Sequence, residues 1–486
     1  MHQPVSMPLW LVVLLVLLAA LALLSHFLLP SVRWFFRRKI NRVIHQLNDH
    51  LQIEIQPFKL TQRQSLIDRL VFDSKVLEAA RIWAAEQNLP REAAMVKVKR
   101  YAREIVPAFN AYLYFRVAYW LGKKIAQLLF RVRIGFADDA ALKSVPANAS
   151  VVFLVNHRSN MDYILVTFFA ASRTALSYAV GEWARIWPLQ SLIRALGAYF
   201  VRRRSGNELY RKVLQRYVQI ATAEGVTQAV FPEGGLSRDG RLQPAKLGLL
   251  DYLLRDYDPD GPRDLVFIPV GVNYDRTLED RTLTLEKEGR QKPGKFKAGW
   301  NTLRFLGRHL WLMLRGHWFR FGYACVNFGP PFSMKAYLAK HHLDFRDMER
   351  DKRFLKVEAL AKELMDEVGA MIPVLPVALI AQTLCQQPGT WMDSLSLKAH
   401  VNQRIETLQG KGAHVYLPRE DRDYAITVGL RMLTLRHLLD TQDGHYRASA
   451  ANLTLLQYYA NSIEHFADAT ATQPASETRA AQQTRV

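Results

Sequence analysis

The chain has 486 residues and a formal net charge of +21 at pH 7, so it is long enough for two or three folded units and is strongly basic. Such a charge favours an anionic partner, namely nucleic acid, an anionic membrane surface or a phosphorylated substrate. The two cysteines, Cys325 and Cys385, have no C-x-x-C spacing. This argues against a disulfide framework and a cysteine-based zinc site, and a reducing compartment is the simpler interpretation.

The N-terminal segment predicts a transmembrane anchor over residues 1–30. Every residue from Leu9 to Leu24 is apolar, and with the apolar residues at 27–29 the run reaches about 20 residues, enough for a helix to cross a bilayer. Basic residues follow this run instead of preceding it, and no small-residue cleavage site is evident, which argues against a signal peptide. The positive-inside rule then predicts that the N-terminus faces outward and that everything after residue 30 lies in the cytoplasm. The expected location is the plasma (inner) membrane.

Residues 31–130 predict a helical subdomain, because apolar positions recur at helical spacing among many charges. Its last part, residues 109–130, combines several aromatic residues with Arg116, Lys123 and Lys124. That composition suits a membrane interface, and it suits a packed helix equally well.

Residues 131–344 alternate short apolar runs with segments of helical periodicity. This pattern predicts an α/β domain with a central, mostly parallel sheet flanked by helices, whose ligand sites lie in loops at strand ends. The expected strands include residues 151–155, 176–180, 227–231 and 265–272. Pro269 is expected to end or kink the last of these strands.

Polar residues follow the first of these strands, where the chain turns into an expected helix. Residues 156–163 read NHRSNMDY. A histidine and an aspartate at this spacing can bring the Asp162 carboxylate to the His157 imidazole, which fixes the tautomer and lets His157 take a proton from an alcohol. A lone histidine is more often a cap or a packing residue, so the inference depends on the pair.

Two later loops carry groups that suit an anionic ligand. A strand ending in Arg202 and Arg203 places guanidinium groups where they can form paired, charge-assisted hydrogen bonds with a phosphate, although a solvated basic turn is the alternative. In the second loop, two adjacent glycines let the backbone approach a ligand closely. Ser237 adds a hydroxyl donor and Arg238 adds a cation, although any glycine-rich turn has a similar sequence.

Three further segments complete the chain. Residues 290–320 interleave basic and aromatic residues without an acidic one, which predicts contact with anionic membrane lipids. Nucleic-acid binding uses similar chemistry, but no nucleic-acid partner is expected because the chain has an N-terminal anchor and no recognised nucleic-acid module. Residues 345–466 predict a C-terminal helical region, and residues 467–486 predict a disordered tail.

Residues 156–163 resemble the H-x4-D signature of the glycerolipid acyltransferases. Three further blocks resemble that family's other motifs in order and spacing, at residues 197–203, 231–240 and 268–270. The phrase GAYFVRR, the doubled glycine after Glu233 and the segment YYANSI at 458–463 are similar to the membrane-bound glycerol-3-phosphate acyltransferases. The resemblance covers about residues 110–466.

This resemblance implies that His157 is the general base, that Asp162 orients it, and that the sn-1 hydroxyl of glycerol 3-phosphate attacks an acyl thioester to give lysophosphatidate. The co-substrate would be acyl-CoA or acyl-acyl carrier protein, with no other cofactor and no metal. The residues that the resemblance implies for substrate binding are Arg202, Arg203, Glu233, Gly234, Ser237, Arg238 and Pro269.

One position departs from the family pattern. The family usually has arginine after the two glycines, where this chain has Leu236. Either another arginine compensates or the acceptor differs, so lysophosphatidate is an alternative acceptor, although acyltransferases that use it usually have threonine where Gly235 stands. A non-enzymatic scaffold that binds anionic lipid is a further alternative, but it leaves the polar residues at the strand ends unexplained.

Overall fold

The computed structural model describes residues 58, 61, 63–170, 174–181, 189–202, 206–287 and 320–468. Its strands are β1 Arg131–Ala137, β2 Ser150–Val155, β3 Ser177–Gly181, β4 Tyr199–Val201, β5 Gln228–Val230, β6 Leu265–Tyr274, β7 Tyr323–Phe328, β8 Phe332–Ser333, β9 Met392–Asp393, β10 Leu439–Gln442 and β11 His445–Ala448.

Helices precede, alternate with and follow these strands. The first group is α1 Arg63–Val71, α2 Ser74–Glu86, α3 Arg91–Ile105, a π-helix at Leu113–Ala118 and α4 Tyr119–Leu129. The second group is α5 Asp139–Lys143, α6 Asp162–Ala170, α7 Leu189–Ala195, α8 Glu208–Ala223, α9 Leu247–Leu254 and α10 Asp280–Lys287. The third group is α11 Met334–His341, α12 Arg350–Ala370, α13 Pro376–Cys385, α14 Ser394–Gly410, α15 Arg422–Leu435, α16 Leu453–Ala460 and α17 His465–Asp468, with 3-10 turns at Pro418–Glu420, Ala450–Asn452 and Asn461–Ile463.

The main sheet has the strand order β1-β7-β6-β2-β5-β3-β4, with β8 also paired to β6. Neighbours from β6 through β2, β5 and β3 to β4 are parallel, whereas β6 pairs antiparallel with β7 and β8. The expectation of a mostly parallel central sheet flanked by helices is confirmed. Because these five strands are parallel, the loops that follow them lie along one edge of the sheet.

Strand β2 shows why its sequence is continuously apolar. Val152 and Leu154 pack in a core with helices α1–α3, α8, α9 and α12, whereas Val151, Phe153 and Val155 pack in a second core with α4 and α6. Successive side chains of a strand point to opposite faces, so a strand with helices on both faces must be apolar at every position. The polar residues that begin at 156 therefore mark the point where the chain leaves the core.

Strand β6 continues through Pro269 to Tyr274, so of the two effects expected of this proline, an end of the strand is excluded. At Pro269 the partner on one side of β6 changes, because β8 pairs with Val266 and Phe267 while β7 pairs from Val270 onward. The missing N–H of proline is tolerated where no ladder hydrogen bond needs it. The Pro269 carbonyl still accepts a 2.8 Å hydrogen bond from the Gly329 N–H.

The C-terminal helical region packs closely against β6 and β7. A Cβ atom at Gly271 of β6 would lie 2.0 Å from the Met371 carbonyl oxygen, so the backbones nearly touch. The side-chain amide of Asn327 donates to the same oxygen at 2.8 Å, and that of Asn273 donates to the Pro373 carbonyl at 2.9 Å. The region is thus attached to the sheet by specific polar contacts as well as by its own apolar core.

Within the described residues, no helix combines the length and apolar character needed to cross a bilayer. The anchor expected at residues 1–30 lies outside them, as do residues 288–319 and 469–486, which include most of the expected basic segment and tail. The proposed domain boundaries stay predictions.

The close approach at Gly271 gives a test of this docking. We expect Gly271→Ala to lower the free energy of unfolding by roughly 1–3 kcal/mol, because the added methyl group forces the C-terminal region away from β6. Gly248→Ala is the control, since nothing lies within 4 Å of a Cβ there. Chemical denaturation measures both, and equal stabilities for the two variants would contradict the interpretation.

Candidate active site

The turn between β2 and α6, residues 156–161, is called the seam. The side chain of Asn156 connects the seam to β6 by hydrogen bonds. Its Nδ2 donates to the Val272 carbonyl at 2.9 Å, and its Oδ1 accepts from the Val272 N–H at 2.7 Å. Asn156 thereby continues the sheet pairing with its amide after the β2 backbone has turned away. The next residue, His157, starts from a fixed position at the carboxyl edge of the sheet.

The structure brings His157 and Asp162 together. Nδ1 of His157 lies 2.9 Å from Oδ2 of Asp162, and both side chains are buried. Oδ2 also accepts from the backbone N–H groups of Arg158 at 2.7 Å and Ser159 at 2.9 Å, while Oδ1 accepts from the Tyr274 hydroxyl at 2.5 Å. Because the carboxylate is an acceptor, Nδ1 carries the proton and Nε2 is left with a lone pair, which is the form that a general base requires.

Aromatic rings fix the plane of the His157 imidazole. The Phe231 ring lies 4.3 Å from it, centroid to centroid, and the Tyr163 ring meets it edge-on at 5.5 Å. Tyr163 and Phe231 also contact each other at 4.7 Å. These contacts restrict rotation of the imidazole and keep water from much of its surface.

The side chain of Glu233 accepts a hydrogen bond from the backbone of His157 and holds it in place. Strands β2 and β5 are parallel neighbours, with Leu154 opposite Val230, so the loops that follow them meet. Oε1 of Glu233 accepts from the His157 N–H at 2.6 Å, and Oε2 accepts from the Gln243 N–H at 3.0 Å. Burial raises the pKa of Glu233 to about 7, against the opposing effect of these two donors.

The loop at residues 232–243, called the glycine loop below, also contacts the other side of His157. The Ser237 N–H donates to the His157 carbonyl at 3.0 Å, and the Ser237 hydroxyl donates to the Arg241 carbonyl at 2.7 Å. Gly234 has a φ of +67° and lies beside the Lys246 side chain. Arg238 is exposed. Of the loop's sequence candidates, Glu233 and Ser237 therefore contact the histidine backbone directly.

Arg202 is held by a different part of the molecule. Its guanidinium makes a two-pronged interaction with the Glu104 carboxylate at 2.8 and 2.6 Å, between the rings of Tyr101 and Tyr210. Strand β4 is three positions from β2 in the sheet, a lateral separation of roughly 14 Å. The structure does not bring Arg202 to His157, and Arg203 lies outside the described residues. Their roles in substrate binding stay predictions.

Pro269 lies within the sheet, next to the end of β2 that precedes His157. It pairs with Leu154 near the end of β2, and its buried ring packs beside Gly329. Its role in substrate binding also stays a prediction.

Two residues near the seam were missed by sequence reasoning. Tyr274 reaches Asp162 from the end of β6, and Glu279 accepts from the Ser159 hydroxyl at 2.7 Å and the Asn160 side-chain amide at 3.0 Å. Burial raises the pKa of Glu279. Sequence offers only a weak signal for either, namely their position just after the apolar run of β6.

An apolar cavity of about 250 Å³ lies beside the pair, and Asn160 of the seam and Tyr163 of α6 line it. Its other walls come from the π-helix, α4, α6, β3 and α7. They include Tyr114, Ala118, Tyr119, Gly122, Ile164, Phe168, Val180, Ile193 and Leu196. Within the described part of the chain, no group of three or more His, Cys, Asp or Glu side chains is arranged for a metal ion. The cavity suits an apolar chain that ends near His157.

The raised pKa of Glu233 predicts a pH dependence of stability. The folded chain binds this proton at higher pH than the unfolded chain, so the free energy of unfolding should fall as pH rises from about 4.5 to about 7 and then level off. The slope from this one group is at most about 1.4 kcal/mol per pH unit.

Chemical denaturation at several pH values, on the wild type and on Glu233→Gln, isolates this contribution. We expect the wild type to lose stability relative to the variant between about pH 5 and pH 7. Glu349→Gln, at an exposed position, should change the profile little. Parallel profiles for the wild type and Glu233→Gln would contradict the assignment.

Comparisons with known proteins place these features in a family. Residues 139–273 match the acyltransferase family model, and residues 309–472 match the model described as the glycerol-3-phosphate acyltransferase C-terminal region. The chain is 26% identical over 443 residues to the glycerol-3-phosphate acyltransferase of Pseudomonas aeruginosa strain UCBPP-PA14, covering 88% of this chain and 51% of that protein. It is 27% identical over 375 residues to that of Xanthomonas axonopodis pv. citri strain 306, covering 75% of this chain and 41% of that protein.

A solved structure is also similar to part of the chain. The crystal structure of the 1-acyl-sn-glycerophosphate acyltransferase from Thermotoga maritima covers 52% of this chain and 79% of its own, at 19% identity and a TM-score of 0.31. The present chain spans about half the length of the curated Pseudomonas relatives that it matches. The two family models and the curated relatives agree, and they show that the chain is similar to the glycerol-3-phosphate acyltransferases of the acyltransferase family.

Proposed function

We propose that the chain transfers a fatty acyl group from an acyl thioester to the sn-1 hydroxyl of glycerol 3-phosphate, giving lysophosphatidate for phospholipid synthesis. The observation that carries this proposal is the buried His157–Asp162 pair, whose imidazole contacts Tyr163, a residue that also lines the apolar cavity. A base of this kind activates an alcohol, and the cavity suits the chain of a fatty acyl donor.

In the proposed reaction, Nε2 of His157 takes the proton of the acceptor hydroxyl as its oxygen attacks the thioester carbonyl carbon. The resulting tetrahedral intermediate collapses with cleavage of the C–S bond, and the imidazolium returns the proton to the departing thiolate. Asp162 keeps its hydrogen bond to Nδ1 throughout and stabilises the imidazolium that forms. No covalent acyl-enzyme is needed.

We assign the acceptor phosphate to the glycine loop, with Arg238 as its cation. The loop contacts both the N–H and the carbonyl of His157, so a phosphate bound there lies close to the base. Leu236 is partly buried and packs against the C-terminal core. This position therefore supplies packing where other family members have arginine, and Arg238 supplies the positive charge two residues later.

The acyl chain is proposed to enter the apolar cavity. Tyr163 contacts the imidazole and also lines the cavity, so a thioester carbonyl placed at His157 points its chain toward that space. Acyl-CoA and acyl-acyl carrier protein present the same phosphopantetheine thioester, and the basic chain suits either anionic donor.

We further propose that the outer face of helix α4 rests on an anionic bilayer at the cytoplasmic face of the inner membrane. Trp120, Leu121 and Leu128 of α4, and Val117 at the end of the preceding π-helix, are 42–58% exposed, at spacings that place them on one helical face together with Lys124. Exposed apolar side chains with an interleaved cation favour an interface of anionic lipids. The opposite face of the same helix lines the cavity, so an acyl chain would lie close to the bilayer.

The activity test uses the full chain in detergent or in bilayers, with long-chain acyl-CoA and acyl-acyl carrier protein as separate donors. We expect lysophosphatidate to form from glycerol 3-phosphate, and His157→Ala to lower kcat/KM by at least about 100-fold, as loss of a general base does. His445→Ala, at an exposed histidine of β11, should leave the rate unchanged.

Lysophosphatidate is offered as acceptor in parallel, because Leu236 replaces the family's arginine. Transfer to lysophosphatidate alone would overturn the assigned acceptor while leaving the chemistry intact. An unchanged rate in His157→Ala would reject the assigned base, and transfer to neither acceptor would reject the proposed reaction.

The membrane proposal predicts a position-specific signal. With an environment-sensitive fluorophore on Leu121→Cys, we expect a blue shift on adding vesicles that contain phosphatidylglycerol, and a smaller one with phosphatidylcholine alone. Leu395→Cys, on the exposed face of α14, is the control, and labelling of the unsubstituted chain gives the background. Equal responses at the two positions would contradict the proposed orientation.

A further inference from the structure

At Gly240 the backbone of the glycine loop contacts the backbone of helix α16 directly. Gly240 has a φ of +87°, and a Cβ atom there would lie 1.9 Å from the Tyr458 carbonyl oxygen. Only glycine fits both the backbone conformation and this contact. The loop backbone therefore lies directly against α16.

Arg158 fills the space between the histidine turn, the loop and α16. Its Nη1 donates to the Gly240 carbonyl, and its guanidinium carbon lies 4.8 Å from the centroid of the Tyr458 ring. The side chain is only 3% exposed, and its Nε and Nη2 have no hydrogen-bond partner within the described structure. A buried cation with so few hydrogen bonds depends on the contacts it does make, so the Gly240 carbonyl and the Tyr458 ring hold it in place.

Three further contacts anchor the loop to the C-terminal region. The side-chain amide of Asn461 donates to the Asp239 carbonyl at 2.8 Å, and Arg241 pairs with Glu464 at 2.6 and 2.9 Å. Leu236 packs against the C-terminal core. These contacts lie on both sides of Arg238, so the backbone that carries this arginine is held before and after it.

We propose that the C-terminal helical region is a positioning element for the acceptor site, acting through Asn461 and Tyr458 on the glycine loop. This inference rests on the proposed function, in which Arg238 binds the acceptor phosphate. A loop that is already ordered loses less conformational freedom when the phosphate binds, so the anchors increase affinity for the acceptor. They touch neither the His157–Asp162 hydrogen bond nor the apolar cavity.

A pair of asparagines supplies a matched test. Asn461→Ala removes the hydrogen bond to the Asp239 carbonyl, whereas Asn452→Ala removes a bond of the same kind to the His437 carbonyl, within the C-terminal region. We expect Asn461→Ala to raise KM for glycerol 3-phosphate about fivefold, as loss of one hydrogen bond would, with KM for the acyl donor and kcat nearly unchanged. Asn452→Ala should change none of these constants. Equal acceptor KM values in the two variants would overturn the proposal.

Tyr458 provides a second variant with its own conservative control. Tyr458→Phe keeps the ring beneath Arg158, whereas Tyr458→Leu removes it. We expect a raised acceptor KM in the leucine variant only. A rise in both variants, or in neither, would show that the ring does not position the loop.

Amide hydrogen exchange of residues 232–243 tests the anchor without any assay of activity. We expect faster exchange in Asn461→Ala than in Asn452→Ala, at equal stability to chemical denaturation. If the wild type transfers no acyl group, the proposed function fails, and loop exchange still decides whether the C-terminal region orders the loop. Identical exchange in the two variants would remove the basis for the proposal.

Discussion

The site depends on one requirement, that the buried carboxylate of Asp162 receive enough hydrogen bonds to remain in a core it could not otherwise occupy. Its donors come from the His157 ring, from two backbone N–H groups of the turn and from the Tyr274 hydroxyl at the end of β6. Satisfying one carboxylate therefore fixes the turn, sets the tautomer of the histidine and ties the seam to its neighbouring strand. The geometry of the His157–Asp162 pair and its attachment to the sheet are held by the same bonds.

Asp162 fixes the imidazole ring of His157, and a second buried carboxylate, that of Glu233, fixes its backbone. Glu233 accepts from the N–H of His157 and from that of Gln243, so it joins the histidine to both ends of the glycine loop. Its pKa of about 7 reflects a balance between burial, which favours the protonated form, and these donors, which favour the charged form. Arg158, packed between the loop and α16, also acts to lower that pKa. The charged side chains of Glu233 and Arg158 thus connect the histidine turn, the glycine loop and helix α16.

Sequence predicted the features whose contacts are local in the chain, and it missed those whose contacts are distant. The apolar run of β2 and the five-residue spacing from His157 to Asp162 determine their own structure, because strand, turn and helix are short-range features. The Arg202–Glu104 ion pair joins residues 98 positions apart, and the Tyr274–Asp162 bond joins residues 112 positions apart. No local pattern contains such partners. Sequence therefore predicted that Arg202 binds a phosphate, but it could not show that the Arg202 guanidinium pairs with the Glu104 carboxylate.

The C-terminal region shows the same limit at a larger scale. Its helical periodicity predicts helices but does not show where they pack. In the structure, C-terminal backbone lies against Gly271 of β6 and Gly240 of the glycine loop, and leaves no room for a side chain at either position. The backbone of the sheet domain thus fits segments that lie 100 and 218 residues later in the same chain. Two family models match the two parts separately, but the contacts around Arg158 make them one site. If the glycine loop binds the acceptor as proposed, we expect substitutions in α16 and the turn after it to change acceptor affinity, although they lie far along the chain from His157.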